Sequence, residues 1–247
     1  LDWWIDSQWY GMKTKHSYIN NCDKLNALKK RSNLKEMYII RYADDFKILC
    51  RNYDSARRIF IAVKNWLKER LDLEISKEKS KIVNLRKGYS EFLGVKIKAI
   101  KKRKKYVSIS KISDKAKEKM LKDIKETLHN FSKYRHSPER LIKHLNSKFM
   151  GYHNYYNAAT RANIDFSEIA FKLAKLTYNK LKNLAKIGNH KECNSKYITD
   201  KYLKSNNYKK YKIKDYVLIP LGYVQHKRLM NFSQEITPYS TIGREFI

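Results

Sequence analysis

Two short runs of alternating apolar residues, separated by an acidic turn, constrain the fold of this chain more than any other feature. The first run is Met37 to Tyr42, and the alternation resumes from Phe46 to Arg51. A period of two is typical of a half-buried β-strand, and two such runs joined by a few residues predict a β-hairpin. The predicted turn is Ala43-Asp44-Asp45, which places two adjacent carboxylates at the tip of the hairpin.

The remainder of the first 110 residues mixes helical and strand-like patterns. The expected elements are the end of a helix over Leu1–Tyr10, a loop over Gly11–Lys35, a helix over Asp54–Leu71 capped by Asp54 or Ser55, short strands over Leu73–Ile75 and Lys81–Leu85, and a second hairpin, Glu91–Ile97 with Tyr106–Ile109, around the cationic turn Lys101–Lys105. Helices packed on an antiparallel sheet are therefore expected up to about residue 110.

Beyond residue 110 the apolar period becomes purely helical. Ser113 is a candidate cap for a helix that carries Ala116, Met120, Ile124, Leu128 and Phe131 on one face, Ser137-Pro138 is a helix start, and a third helix is expected from about Asp165 to Ile187, ending at Gly188. Three amphipathic helices in sequence predict a small bundle. The predicted class is α+β, with a mixed part over 1–110, an all-α bundle over 111–190 and a basic linker over 191–247.

The charge of the chain indicates a polyanionic partner. Lys and Arg number 55 against 24 Asp and Glu, which gives a formal charge of +31, and 19 Tyr lie among the basic residues. Cations neutralise phosphates and aromatic rings stack on bases, so this combination favours a folded nucleic-acid-binding protein. Codon bias in an AT-rich prokaryotic genome explains most of the Lys, Asn, Ile and Tyr content, but it does not by itself explain the shortage of acidic residues.

Three cysteines, Cys22, Cys50 and Cys193, are odd in number and widely spaced, so neither a disulfide framework nor a zinc quartet is predicted. His190 with Cys193 is too sparse for a zinc site.

No apolar run approaches the roughly 18 residues of a membrane span, and the first residues lack the pattern of a signal peptide. A reducing, cytoplasmic location without membrane contact is expected. Because the chain begins with Leu1, we also expect that a segment upstream has been removed.

Adjacent aspartates at a turn have two explanations. Asp stabilises turns through its side-chain oxygen and tolerates unusual backbone angles. Alternatively, bulky apolar neighbours hold the two carboxylates rigidly together, and a divalent cation relieves their repulsion. Carboxylate oxygens suit Mg²⁺, and two such ions support in-line phosphoryl transfer.

The sequence resembles the reverse transcriptase/maturases encoded by group II introns. Four blocks occur in order: Tyr42-Ala43-Asp44-Asp45 followed by Phe46 is similar to the YADD box, LEISKEKSKIVNL (73–85) to the next block, SEFLGVKIK (90–98) to the primer-grip hairpin, and FMGYHNYY (149–156) to the thumb, or maturase domain X. The tail YVLIPLGYVQHKRLMNFSQ (216–234) resembles the region that precedes the DNA-binding and endonuclease parts. The resemblance thus covers nearly the whole chain.

The resemblance implies roles for particular residues. Asp44 and Asp45 would hold two Mg²⁺ ions, with Asp44 the direct ligand, and Tyr42 and Ala43 would approach the primer end and the incoming nucleotide. Lys79 would protonate or steady the departing pyrophosphate, or is simply a solvated lysine. Phe92, Leu93 and Gly94 would form the primer grip, although the first two are equally suited to a core. Candidate RNA contacts are Tyr155, Arg161, Lys172 and Lys175, whereas the spacing of Tyr152 and Tyr156 favours burial.

Three functional hypotheses follow. The first is an RNA-directed DNA polymerase acting on an RNA template with a DNA primer and on target DNA. The second is a maturase that binds group II intron RNA without chemistry of its own, and the third is a relic of a decayed reading frame. The intact aspartate pair favours the first. A further catalytic Asp is expected upstream of Leu1, so this chain by itself is expected to lack polymerase activity.

Overall fold

The computed structural model describes residues 1–76, 78–130, 134, 136–204 and 207–226, which fall into two compact units, Leu1–Tyr89 and Ser90–Ile247. The first unit contains α1 (Asp2–Gln8), α2 (Asn21–Arg31), β1 (Met37–Tyr42), β2 (Asp45–Cys50) and α3 (Tyr53–Leu71). The second contains β3 (Ser90–Phe92), β4 (Val95–Lys102), β5 (Lys105–Ile112), α4 (Asp114–His129), α5 (Pro138–Tyr156), α6 (Ala162–Leu181), β6 (Lys186–Gly188), α7 (Lys196–Ile198), a π-helical turn (Thr199–Leu203), β7 (Lys210–Ile213) and β8 (Tyr216–Val217). All strand pairs are antiparallel, so the chain is α+β as predicted.

The β1–β2 hairpin packs one face on the helices of the first unit and leaves the other face open. Its register runs from Met37 opposite Cys50 to Tyr42 opposite Asp45. On the packed face, five half-buried side chains contact the buried Ile5 of α1 and Ile59, Val63 and Leu67 of α3; they are Met37, Ile39, Phe46, Ile48 and Cys50. Because side chains alternate between the two faces, Ile40, Tyr42 and Leu49 are exposed.

Helix α3 begins one residue earlier than its apolar pattern indicates. Asn52 is the N-cap, and its side-chain oxygen accepts a hydrogen bond of 2.9 Å from the amide of Ser55. The predicted caps, Asp54 and Ser55, are therefore wrong, because both residues already lie inside the helix. Asn, Asp and Ser cap helices about equally well, so residue type alone does not select among these neighbours.

Two further predictions for the first unit are wrong. The expected loop over Gly11–Lys35 contains α2, whose only buried side chain is Leu25, so it has almost no apolar stripe to reveal it. The expected strands over Leu73–Ile75 and Lys81–Leu85 do not form. Leu73 instead donates its amide to the carbonyl of Leu67, which closes the end of α3, and a turn begins at Asn84, whose carbonyl accepts from the amides of Lys87 and Gly88.

The second unit opens with a three-stranded sheet of order β3-β4-β5. Two-residue turns, Leu93-Gly94 and Arg103-Lys104, connect its strands, and β4 and β5 pair over eight residues each. The predicted hairpin around the cationic residues is confirmed as β4 and β5, with a tighter turn than expected. The expected strand over Glu91–Ile97 is wrong in part, because the Leu93-Gly94 turn interrupts it and Glu91 and Phe92 belong to β3. Ile112, the last residue of β5, is buried in the same core as the helices. The boundary between the two compact units therefore lies between residues 89 and 90, and not near residue 110, where the apolar pattern becomes helical.

Helices α4 and α5 confirm their predictions. The Ser113 side chain accepts from the amide of Ala116, and Pro138 occupies the first turn of α5. Phe131, predicted for the same face as Met120, lies outside the described residues. The third helix ends at Leu181 and not at Ile187, because Lys186–Gly188 leaves the helix and pairs with β7.

The segment predicted as a linker is folded up to at least residue 226. The π-helical turn, a small sheet of order β6-β7-β8 and the residues that follow β8 bury eight apolar side chains against the helices: Tyr202, Leu203, Ile213, Val217, Leu218, Ile219, Leu221 and Val224. The side chain of Asn146 on α5 donates to the carbonyl of Val217 at 2.8 Å and accepts from the amide of Ile219 at 2.9 Å. Among the described helices, none is long and apolar enough to cross a membrane.

Candidate functional site

The acidic turn between β1 and β2 consists of only two residues, Ala43 and Asp44. The sequence analysis placed Asp45 in the turn as well, and this is wrong. Asp45 is the first residue of β2, where it faces Tyr42 across the hairpin. Asp45 therefore shares the open face of the sheet with Tyr42 and Ile40, while Asp44 occupies the tip. Both aspartates are exposed. Ala43 has a φ of +53°, which is the left-handed region that glycine normally occupies at the first position of such a turn.

Arg41 ties this turn to the first helix. Its Nε donates to both carboxylate oxygens of Asp2, at 2.9 and 2.8 Å, and its Nη1 donates to the carbonyl oxygen of Ala43 at 2.8 Å. A guanidinium that bridges two acceptors in this way fixes their relative position, because its donors are held in one plane. The carbonyl next to Asp44 is thus anchored to α1, which holds the strained turn in one conformation.

A second tight turn, Leu93-Gly94, is anchored by α5 in the other unit. Gly94 has a φ of +72° and its carbonyl accepts from the amide of Ser113 at 2.8 Å. A Cβ placed on Gly94 would lie 2.9 Å from the hydroxyl oxygen of Tyr156. The Tyr155 hydroxyl donates to the carbonyl of Leu93 at 3.2 Å, and its ring contacts the Tyr156 ring edge to face, with 4.7 Å between the ring centroids. Glycine is thus required here for its backbone angle and for its lack of a side chain.

The β1–β2 hairpin lies inside a segment that is similar to a known protein family. Residues 16–97 match the family model for reverse transcriptase (RNA-dependent DNA polymerase). The match covers about a third of the chain and includes α2, the acidic turn, α3 and the Leu93-Gly94 turn. No curated protein matches the chain. At the level of the family, the reverse transcriptase match indicates RNA-dependent DNA polymerase activity on an RNA template and a DNA primer, and such enzymes generally use divalent metal ions.

The acidic turn lies in the segment that matches the reverse transcriptase model, and it offers the donor atoms that a hard divalent cation needs. Asp44 and Asp45 provide exposed carboxylate oxygens, and Mg²⁺ binds through one or two protein carboxylates together with waters and substrate phosphates. In the described part of the chain, no cluster of three or more His, Cys, Asp or Glu side chains forms a metal site. The two residues therefore fit a site that substrate oxygens complete, and they do not form a closed cage.

No hydrogen bond or ion pair among the described residues joins Lys79 to this turn. Lys79 is exposed in a turn that follows α3. Tyr42 is 65% exposed beside Asp45, and Ala43 presents only its backbone and methyl group. Phe92 and Leu93 are half-buried, as is usual for the rim of a core.

The residues predicted to contact RNA lie on or next to α6, except for Tyr155. Tyr155 is 60% exposed despite its bond to Leu93. Arg161 precedes α6 and is half-buried, and its amide donates to the carbonyl of Ser110. Lys172 and Lys175 are exposed, and the ammonium of Lys172 pairs with Glu168 at 2.6 Å.

Sequence reasoning missed three exposed apolar side chains on α6. They are Ile164, Phe171 and Tyr178, which are 58%, 84% and 50% exposed. Their spacing of seven residues places them on one side of the helix, close to Lys175. That seven-residue spacing was visible in the sequence, but the apolar stripe expected for this helix (Ile169, Leu173, Leu176 and Leu184) did not include these three residues. Tyr156 is buried, as its spacing predicted, and Tyr152 is half-buried.

Proposed function

We propose that this chain belongs to an RNA-directed DNA polymerase that also acts as the maturase of a mobile group II intron. The observation that carries the proposal is the pair of exposed carboxylates, Asp44 and Asp45, on a turn anchored by Arg41 inside the reverse transcriptase match. Chemistry of this class needs acidic oxygens held in place before the substrate arrives. The matched segment and the four ordered blocks of the sequence support the substrate class.

The proposed site acts by positioning the metal ions, the primer end and the incoming nucleotide. Asp44 and Asp45 would hold two Mg²⁺ ions, which supply Lewis-acid stabilisation of the charge on the phosphate oxygens of the nucleotide. Tyr42 and the backbone of Ala43 limit where the primer end and the base of the nucleotide can lie on the open face. We assign Lys79 the protonation of the departing pyrophosphate, and we assign the turn of Phe92, Leu93 and Gly94 the orientation of the primer strand.

Maturase activity is the second proposed function, and it needs no metal chemistry. It is favoured by the net charge of +31 and by the exposed aromatic and basic side chains around α5 and α6, which are Tyr155, Phe171, Lys172, Lys175 and Tyr178, with Arg161 beside them. Stacking and phosphate contacts of this kind recognise structured RNA by shape. A protein that only bound RNA would have no use for the exposed aspartate pair, so we rank the polymerase first.

The experiment is primer extension on an RNA template with Mg²⁺ by the full-length protein that carries this chain. The Asp44→Asn variant is compared with the matched control Asp54→Asn, which removes an exposed carboxylate from the first turn of α3. We expect Asp44→Asn to reduce synthesis by about 10²-fold or more, on the scale seen when one group that stabilises transition-state charge is removed. We expect its affinity for RNA, and both properties of the control, to stay at the wild-type level.

Two results would contradict the proposal. Synthesis that survives Asp44→Asn would show that the pair does not carry the chemistry. A parallel loss of synthesis and of RNA affinity would show that the aspartates stabilise the turn and do nothing more. If the wild-type protein makes no DNA but binds RNA tightly, maturase activity becomes the favoured function in place of the polymerase.

A further inference from the structure

The β4–β5 hairpin extends beyond the sheet to which it belongs. Strand β3 pairs with β4 only as far as Ser90 opposite Ile97. The pairing of β4 with β5 continues for five more residue pairs, from Lys98 opposite Ile109 to Lys102 opposite Lys105. At the usual rise of a strand these five pairs span about 17 Å. The end of the hairpin is thus a two-stranded ribbon, and residues 101–106 are all exposed.

The tip of this ribbon is entirely cationic. Residues 101–105 read Lys-Lys-Arg-Lys-Lys, and the chain has no Asp or Glu between Glu91 and Asp114. In the part of the chain that the structure describes, none of these five cations forms an ion pair, whereas Lys96 near the base of the hairpin pairs with Asp114. Tyr106, which follows the five, is 48% exposed. We call residues 101–106 the cationic ribbon tip.

Folding alone does not account for this composition. Lys102 lies directly opposite Lys105, and like charges at such a pair destabilise a hairpin. Arg103 has a φ of +55° at the first position of the turn, where glycine fits without strain. Two local rules are broken within four residues, and natural sequences break such rules mainly at functional sites. No ion pair among the described residues offsets either penalty, and this favours a polyanionic partner outside the described part of the chain.

We propose that the cationic ribbon tip binds the phosphate backbone of structured RNA. Lysines on flexible stems act as point charges toward phosphates and need no particular base sequence, and the Tyr106 ring can stack on an unpaired base. The choice of RNA as the polyanion rests on the proposed function. The site itself is new to that function, because it contains none of the residues assigned to the acidic turn, to the turn that orients the primer or to the surface of α5 and α6.

The composition of the tip argues against an anionic membrane as the partner. Segments that lie in a membrane interface carry several apolar side chains beside their cations. Here Tyr106 is the single aromatic residue among six, and the next apolar side chain, Val107, is half-buried. The tip therefore offers charge for phosphates without the apolar area that insertion needs.

The test is the salt dependence of binding to a folded RNA duplex with single-stranded ends, measured on the full-length protein between about 50 and 200 mM salt. The ribbon variant carries Lys102→Gln, Arg103→Gln, Lys104→Gln and Lys105→Gln. The control variant removes the same charge from α4, where four exposed lysines alternate with acidic residues: Lys115→Gln, Lys119→Gln, Lys122→Gln and Lys125→Gln.

We expect the ribbon variant to bind RNA about tenfold more weakly near physiological salt, with the slope of log K against log salt reduced by roughly two to three, about one for each lost phosphate contact. The control should lose less than half as much of the slope. Equal losses in both variants would show that only the net charge matters, and an unchanged ribbon variant would also overturn the proposal. So would preferential binding of the wild-type protein to vesicles rich in phosphatidylserine.

A second measurement separates binding from misfolding. Removing the repulsion between Lys102 and Lys105 should leave the melting temperature of the ribbon variant equal to or above that of wild type, while RNA affinity falls. In the unaltered protein, RNA should also protect Lys102, Lys104 and Lys105 from amine-modifying reagents, and full reactivity in the complex would overturn the proposal. Neither readout needs DNA synthesis, so a protein that binds RNA through the tip but makes no DNA removes the proposed polymerase and leaves this inference standing.

Discussion

At Gly94 the backbone conformation and the packing both require glycine. The positive φ of +72° excludes most side chains, and the hydroxyl oxygen of Tyr156 lies 2.9 Å from the position of a Cβ. We expect Gly94→Ala to destabilise the second unit by about 1–3 kcal/mol, since a left-handed residue and a forced contact each carry a penalty of that order.

A double-mutant cycle separates the two penalties at Gly94. Tyr156→Phe removes the hydroxyl that the new Cβ would meet, so Gly94→Ala should cost less in the Tyr156→Phe background than in wild type, by denaturant unfolding. An identical cost in both backgrounds would mean that only the backbone angle requires glycine. The glycine was visible in the sequence, but its contact with Tyr156, 62 residues later, was not.

His153 is a buried histidine whose neutral form the fold requires. Its side chain is buried between Phe166 and Tyr202, and Nε2–H donates to the carbonyl of Leu221 at 2.8 Å. Burial lowers the pKa of His153 to about 4, and the positive charge of Lys201 also lowers it, while the bond to Leu221 acts in the opposite direction. In the unfolded chain the pKa is near the ordinary value of about 6.5.

The stability of the second unit should therefore depend on pH through His153. Because the folded pKa is the lower one, the unfolded chain binds the extra proton between pH 6.5 and pH 4. The stability is fully present above pH 6.5 and decreases by about 3 kcal/mol as the pH falls to 4. Urea unfolding at pH 7, 5.5 and 4 tests this against His153→Gln, which should lose most of the slope in this window. An unchanged slope in the variant would assign the effect to other groups.

At the scale of elements, Asn146 joins α5 to the segment around β8. It is buried, and its two bonds satisfy the carbonyl of Val217 and the amide of Ile219. Both bonds are buried, beside the buried side chains of Leu218 and Ile219. Leaving a buried polar group without a partner costs more free energy than its hydrogen bond contributes.

We expect Asn146→Ala to destabilise the second unit by about 2–4 kcal/mol, from two unsatisfied backbone groups and a small cavity. Hydrogen exchange should rise first at Ile219, whose amide loses its acceptor. The exposed Asn154→Ala on the same helix is the control and should change the stability by less than about 0.5 kcal/mol. Unchanged exchange at Ile219 would contradict the docking role of Asn146.

The elements that sequence reasoning found are those with a strong apolar period of their own. The β1–β2 hairpin and helices α3, α4 and α5 carry such patterns, and the structure confirms them. Helix α2 was missed because Leu25 alone is buried. The strands β6, β7 and β8 have two to four residues each, and long-range pairing holds them, so nothing local in the sequence marks them.

Across the whole molecule, the residues that carry the proposed chemistry could be predicted from the sequence. The contacts between distant residues that hold them in place could not. The residue types and spacing of Asp44 and Asp45 were enough to propose the site. The Arg41 bond to Asp2 joins residues 39 positions apart, and the bond from Tyr155 to Leu93 joins residues 62 apart. The anchoring of both turns therefore became visible only in three dimensions. The contribution of Lys191–Val224 to the core was hidden for the same reason.

The most direct test of the proposed metal site is the Mg²⁺ concentration that gives half-maximal nucleotide incorporation on an RNA template, measured in single turnovers with the full-length protein. Asp45→Asn removes one acidic ligand from the proposed site, whereas Asp54→Asn removes an exposed carboxylate elsewhere. We expect Asp45→Asn to raise this concentration by about tenfold or more, or to abolish incorporation at every Mg²⁺ concentration, and we expect Asp54→Asn to leave it unchanged. A wild-type Mg²⁺ dependence and rate in the Asp45→Asn variant would contradict the claim that the acidic turn holds the metal ions.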